Sequence, residues 1–174
     1  GDTRGGAGDD TLIGLDQADT LNGGEGSNRL FGQGGDDDLS ASNANDLLDG
    51  GTGNDKLNAR DGDNILIGGE GDDSLTAGFG DDLLFGGVGN DTIYSRGGND
   101  AVDGGAGDDS ILLRGLSNTI VAGTGNDTVR VFDGVNTIQL GGIAGALSDG
   151  NDRFTGGAGA DSFAVFLADR SGAA

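Results

Sequence analysis

The sequence predicts an all-β solenoid with two nine-residue repeats to a coil and about eight coils, and three observations predict it. A nine-residue period runs from Gly5 almost to the end of the 174-residue chain. Within that period position eight is always apolar and position six is always Asp or Asn. Pro is absent, as expected of a chain that commits nearly every N–H to a ladder or a turn.

Cutting at every ninth residue from Gly5 gives GGAGDDTLI (5–13), GLDQADTLN, GGEGSNRLF, GQGGDDDLS and eleven further copies, ending with VFDGVNTIQ (131–139). Seven residues, LGGIAGA (140–146), then intervene before LSDGNDRFT (147–155) and GGAGADSFA (156–164). The organisation read from this is one domain over 1–174. Regular repeats cover 5–139, an insertion 140–146, resumed repeats 147–164, and a cap 165–174 built around Val165, Phe166 and Leu167.

Each position has a physical task. Glycine at positions one, two and four permits positive φ and close backbone approach, so the first six residues form a tight turn with inward carbonyls. Positions seven to nine form a short strand whose middle side chain points one way and whose outer two point the other. A three-residue strand with one apolar side chain is unstable alone. Stacked copies pair their backbones and cover each other's apolar residue, here Leu12, Leu21, Leu30 and onward to Phe154 and Phe163.

Composition removes most other functions. The net charge of −21 argues against nucleic acid and anionic membrane as partners. Without His or Cys there is no imidazole base, thiolate nucleophile, disulfide or thiolate metal site. No apolar run approaches the ~20 residues of a membrane helix. The absence of Met reads as a mature or cropped segment. Adjacent acids such as Asp72-Asp73 recur copy after copy, unlike a unique pair of catalytic carboxylates. The chain is therefore expected not to be an enzyme.

What remains is metal chemistry. Stacked Asp carboxylates repel unless paired, and a hard divalent cation with six or more oxygen ligands, calcium before magnesium, fits between two carboxylates and several turn carbonyls. The copies GGEGDDSLT (68–76), GGVGNDTIY (86–94) and GGAGDDSIL (104–112) resemble the hemolysin-type calcium-binding (RTX) nonapeptide GGxGxDxUx. The resemblance implies a right-handed parallel β-roll, a secreted bacterial protein exported by a type I-like route, and ions held between turns one coil apart. It places the ligands at the position-six Asp residues and at turn carbonyls, here Gly50, Thr52, Gly68, Glu70, Gly86, Val88, Gly104 and Ala106. Roughly six or more calcium ions follow from the number of gaps.

Because repeats alternate sides, position six falls into two columns. The even column is Asp19, Asp37, Asp55, Asp73, Asp91, Asp109, Asp127 and Asp152, without exception Asp. The odd column is Asp10, Asn28, Asp46, Asn64, Asp82, Asp100, Asn118, Asn136 and Asp161. Fuller loading of the even column is expected, with Asp10, Asp46, Asp82, Asp100 and Asp161 as the weaker ligands.

Outward positions differ as well. Leu47, Ile65, Ile67, Leu83 and Phe85 gather on one sheet, either as ordinary strand formers or as a patch for docking or self-association. The functional expectation is an accessory module that folds on binding calcium, attached to an effector domain. The alternative is an adhesion or carbohydrate-contacting module that calcium only rigidifies.

Overall fold

The computed structural model describes residues 1–140, 152–158 and 161–165. All elements in them are strands, arranged as two nine-stranded parallel sheets. One sheet runs Asp2–Ala7, Thr20–Glu25, Asp38–Ser40, Lys56–Arg60, Ser74–Ala77, Thr92–Ser95, Ser110–Leu113, Thr128–Val131 and Arg153–Thr155. The other runs Thr11–Ile13, Arg29–Gly34, Leu47–Thr52, Ile65–Glu70, Leu83–Val88, Ala101–Ala106, Thr119–Val121, Thr137–Leu140 and Ser162–Val165. Successive strands lie in opposite sheets. A circuit therefore takes 18 residues, and Leu66 pairs in register with Leu48 on one side and Leu84 on the other. The architecture is the β-solenoid read from the period.

Position-eight side chains fill the space between the sheets. Leu30, Leu48, Leu66, Leu84 and Ile120 are wholly buried, and the row continues from Leu12 to Ile138. A second inward row was not legible in the period. Position one of the odd turns carries Ala41, Ala59, Ala77, Ser95, Leu113 and Val131, all buried, whereas the consensus places glycine there.

Strand length also departs from the three residues expected. Leu47–Thr52, Ile65–Glu70, Leu83–Val88 and Ala101–Ala106 each continue through positions one to three of the following turn. The Gly-Gly pair makes this possible. Gly69 has φ +121°, and a Cβ there would collide with the Gly51 carbonyl oxygen one coil away. Where Arg60 occupies position two, with φ +61°, the pairing slips between Asn58 and Arg60.

Register survives the insertion: Thr128 pairs with Arg153 and Val129 with Phe154. Leu140, assigned to the insertion by the repeat frame, instead ends a strand opposite Val165. The rest of the insertion and the rest of the expected cap lie outside the described residues.

Leu66→Ala should cost about 2–5 kcal/mol of stability, since it opens a cavity in a single-file core. Leu83→Ala, on the outward face of the same sheet, should cost under about 1 kcal/mol. Unfolding in saturating calcium, followed by circular dichroism, checks both.

Candidate metal centre

The turns at the two edges of the sheets place position six inward, and the eighteen-residue register stacks these side chains in two columns. Along the even edge each backbone N–H donates to the carboxylate of the next coil. Asp37 N donates to Asp55 Oδ1 at 2.8 Å, Asp55 N to Asp73 Oδ1 at 2.7 Å, Asp73 N to Asp91 Oδ1 at 2.8 Å and Asp91 N to Asp109 Oδ1 at 2.8 Å. The row begins with Asp19 N to Asp37 Oδ1 and ends with Asp109 to Asp127 and Asp127 to Asp152. The odd edge repeats the arrangement through Asp10, Asn28, Asp46, Asn64, Asp82, Asp100, Asn118, Asn136 and Asp161.

That ladder uses one oxygen per carboxylate. The second, Oδ2, is buried and accepts no hydrogen bond in Asp37, Asp55, Asp73, Asp91 and Asp109 on the even edge. The same holds for Asp10, Asp46, Asp82 and Asp100 on the odd edge. Asp19 differs, because its Oδ2 accepts the Leu15 N–H at 2.7 Å. A buried carboxylate with an unpartnered oxygen favours either a proton or a cation. Burial, reinforced by neighbouring carboxylates, raises Asp55 to about 6 and Asp73 and Asp109 to about 7, against the ladder hydrogen bonds that oppose it. Burial likewise raises Asp37 and Asp91 on this edge. On the odd edge it raises Asp46 and Asp100, and brings Asp82 to about 7.

The even edge also holds a carbonyl oxygen opposite four of these five orphans. A Cβ on Gly68 would meet Asp73 Oδ2 and, at 2.5 Å, the Gly86 carbonyl oxygen of the next coil. The same pairing recurs at Gly32 with Asp37 and Gly50, at Gly86 with Asp91 and Gly104, and at Gly104 with Asp109 and Ala122. Position one is thus glycine on this edge because two converging oxygens leave no room for a methyl group. Position-three carbonyls are partly committed. Thr52, Glu70, Val88 and Ala106 accept the N–H groups of Gly35, Gly53, Gly71 and Gly89 at 2.7–2.8 Å. Each keeps a second lone pair.

Among the described residues no three acidic side chains converge on one point. Any ion here must draw on paired carboxylates plus carbonyls, a hard all-oxygen donor set that suits calcium. The residues present fit that ion.

A third ladder was not read from the sequence. At position five of the even turns Asp36, Asn54, Asp72, Asn90, Asp108 and Asn126 alternate acid and amide. From Asp36 to Asp108 each Oδ1 accepts the backbone N–H of the following coil, as in Asn54 N to Asp36 and Asp72 N to Asn54, both 2.8 Å. The direction is opposite to that of position six. Asp108, which accepts both the backbone and side-chain N–H of Asn126, is held below the usual carboxylate range by those bonds.

The outward patch is assembled as expected, with Leu47, Ile65 and Leu83 in one row and Ile67 and Phe85 in the next. The second row is interrupted, since Asp49 precedes Ile67 and Asp103 follows Phe85. Burial raises both carboxyls. On the opposite sheet and its turns, Arg114 and Arg130 lie over the Phe132 ring at 4.5 and 5.4 Å, and Arg96 over Tyr94 at 6.0 Å.

No curated protein and no solved structure matches the chain. The family described as RTX calcium-binding nonapeptide repeat (4 copies) matches residues 4–39, 40–75, 76–111, 115–142 and 148–164, nearly the whole chain. The period, the two-sheet solenoid and the stacked carboxylates agree with that match, and the chain belongs to the RTX calcium-binding repeat family as a calcium-binding repeat module.

Proposed function

We propose that this module is a calcium-dependent folding switch whose ligands are the carboxylates of consecutive even turns. The observation that carries the reading is the run of buried, unpartnered Oδ2 atoms from Asp37 to Asp109, with a carbonyl oxygen of the next coil converging beside those of Asp37, Asp73, Asp91 and Asp109. Asp37 with Asp55, Asp55 with Asp73, Asp73 with Asp91 and Asp91 with Asp109 would share ions, and Asp19, Asp127 and Asp152 extend the row. Carbonyl oxygens of Gly50, Gly68, Gly86 and Gly104 complete the donor set, with the free lone pairs of Thr52, Glu70, Val88 and Ala106 beside them.

Folding and binding are one event on this reading. Two position-eight side chains per coil, with one mostly small position-one side chain, bury too little apolar surface to order 18 residues of backbone. Self-repulsion at −21 opposes compaction further, and six divalent ions would bring the charge to about −9. Ligands that bind only the folded chain stabilise it by linkage. Extracellular calcium modules bind at about 10⁻⁴–10⁻³ M, so the chain stays unfolded where calcium is scarce and folds after export. It then serves as an accessory to a secreted effector.

A second reading, contact with carbohydrate by a calcium-rigidified scaffold, draws on one furrow. A cavity of about 430 Å³ is lined by Asn43, Asn58, Arg60, Thr76 and Arg96. Neither guanidinium is within ion-pair distance of a carboxylate among the described residues. Loss of retention on an immobilised acidic polysaccharide in Arg96→Ala, with calcium-induced folding intact, is its expected signature.

Far-ultraviolet circular dichroism in excess chelator should show little β structure, which should appear across about 10⁻⁴–10⁻³ M calcium. Full β content in chelator would refute the switch. Asp73→Ala should raise the calcium midpoint at least several-fold. Gly68→Ala should do the same, because its methyl group takes the space between Asp73 Oδ2 and the Gly86 carbonyl.

The raised carboxyls give a pH signature. Asp55, Asp73 and Asp109 bind protons more tightly folded than unfolded, so their contribution is complete below about pH 3.8 and is lost as pH rises through about 6 to 7. The calcium-free chain should therefore gain β structure on acidification from pH 7.5 toward 4.5. The calcium midpoint at fixed total ion should rise over the same interval, as protons compete for the same oxygens.

A further inference from the structure

The odd edge has the same turns and the same ladder, yet its interior is built differently. Its amides donate where the even edge offers only acceptors. Asn28 Nδ2 donates to the Gly26 carbonyl at 2.8 Å, and Asn64 Nδ2 to the Gly62 carbonyl at 2.8 Å. Asn118 Nδ2 donates to Asn136 Oδ1 at 2.9 Å, and Asn136 Nδ2 to Asp161 Oδ1 at 2.9 Å. An N–H donor pointing at these oxygens occupies them and presents partial positive charge where a cation would have to approach.

Position one supplies a second, independent difference. On the even edge it is glycine from Gly14 to Gly104, each with oxygen crowding the place of a Cβ, and within the regular repeats only Ala122 breaks the row. On the odd edge Gly5 and Gly23 give way to Ala41, Ala59, Ala77, Ser95, Leu113 and Val131. These side chains are at most 5% exposed, and the apolar ones belong to the hydrophobic core. Their size grows toward the C-terminal coils, where the amides Asn118 and Asn136 follow one another. The even edge is lined with glycine and oxygen, whereas from Ala41 to Val131 the odd edge sets carbon and N–H beside its carboxylates.

We infer that the solenoid is one-sided: calcium enters the even edge, and the odd edge is closed to it wherever an asparagine bounds the gap, with the amide and the position-one side chain standing in for the ion. The inference rests on the calcium reading of the even edge. The Asp82–Asp100 gap alone on the odd edge of the regular repeats has two carboxylates and no amide, and beside it lies the Ser95 hydroxyl. It stays open to an ion. The odd edge is otherwise a permanent hydrogen-bonded and apolar spine, so calcium ties down one side of a structure whose other side is tied by its own side chains.

Bound calcium per chain, counted by native mass spectrometry at saturating calcium, separates the edges when paired with circular dichroism. Wild type should carry an ion count close to the six gaps between Asp19 and Asp127, the Asp127–Asp152 gap and the one open odd gap, about half of what two loaded edges would hold. Asp46→Asn, flanked by Asn28 and Asn64, should leave the count unchanged. Asp73→Asn should lower it by one or two. Equal losses in the two variants would overturn the one-sided assignment while leaving calcium binding intact. No loss in either would overturn the even-edge reading itself. A third variant, Asn64→Asp with Ala59→Gly, should raise the count by one or two, and keeps the assignment testable if either substitution above fails to fold. An unchanged count in that folded variant would count against amide exclusion.

Discussion

Everything in this molecule depends on the hydrogen bond from a position-six backbone N–H to the position-six side chain one coil further on. It fixes the register at 18 residues, turns the side chain inward and spends one oxygen of each carboxylate. From Asp37 to Asp109 the remaining oxygen is buried and accepts no hydrogen bond. Fold and ion affinity are therefore not separate properties grafted together. The bond that holds one coil to the next is also the bond that leaves one carboxylate oxygen without a partner.

The same constraint explains the composition. A solenoid whose turns approach closely enough for Gly69 to lie against the Gly51 carbonyl has little volume for apolar side chains, and the core is one side chain wide at most positions. Stability then has to come from polar ladders and from neutralising what they bury. Acid–amide alternation at position five fits this economy. It keeps a forward ladder running along the even turns while separating like charges by two coils. At position six of the same turns no such relief is present, and the carboxylates stand in unbroken succession.

Much of this was legible in the residues because the period is strict. Leu66, Asp73 and Asp127 follow from counting nines, since each copy repeats the environment of the copy before it, and Asp152 follows from restarting that count after the seven inserted residues. What escaped was information averaged away by the consensus. Leu113 and Val131 look like degraded glycines in a repeat frame, and only the two-sheet geometry shows them as core. The lengthening of Leu47–Thr52 beyond its repeat depends on contacts between coils, as does the interruption of the outward patch by Asp49 and Asp103. The position-five ladder was invisible for a similar reason, because Asp and Asn there look like generic turn residues until their partners are seen one coil away.

The alternation of edges makes the coil, and not the nonapeptide, the unit by which such a chain can lengthen. Adding one nine-residue copy in the middle would send every later turn to the opposite side. Amides and bulky position-one residues would then stack against glycine-lined turns, and carboxylates against carbon. Adding 18 residues leaves both edges intact. The parity holds across the 25-residue spacing as well, since the Asp127 N–H still donates to Asp152 and the Asn136 N–H to Asp161. A solenoid with two unlike edges can grow only by whole turns, or by loops that do not count as turns at all.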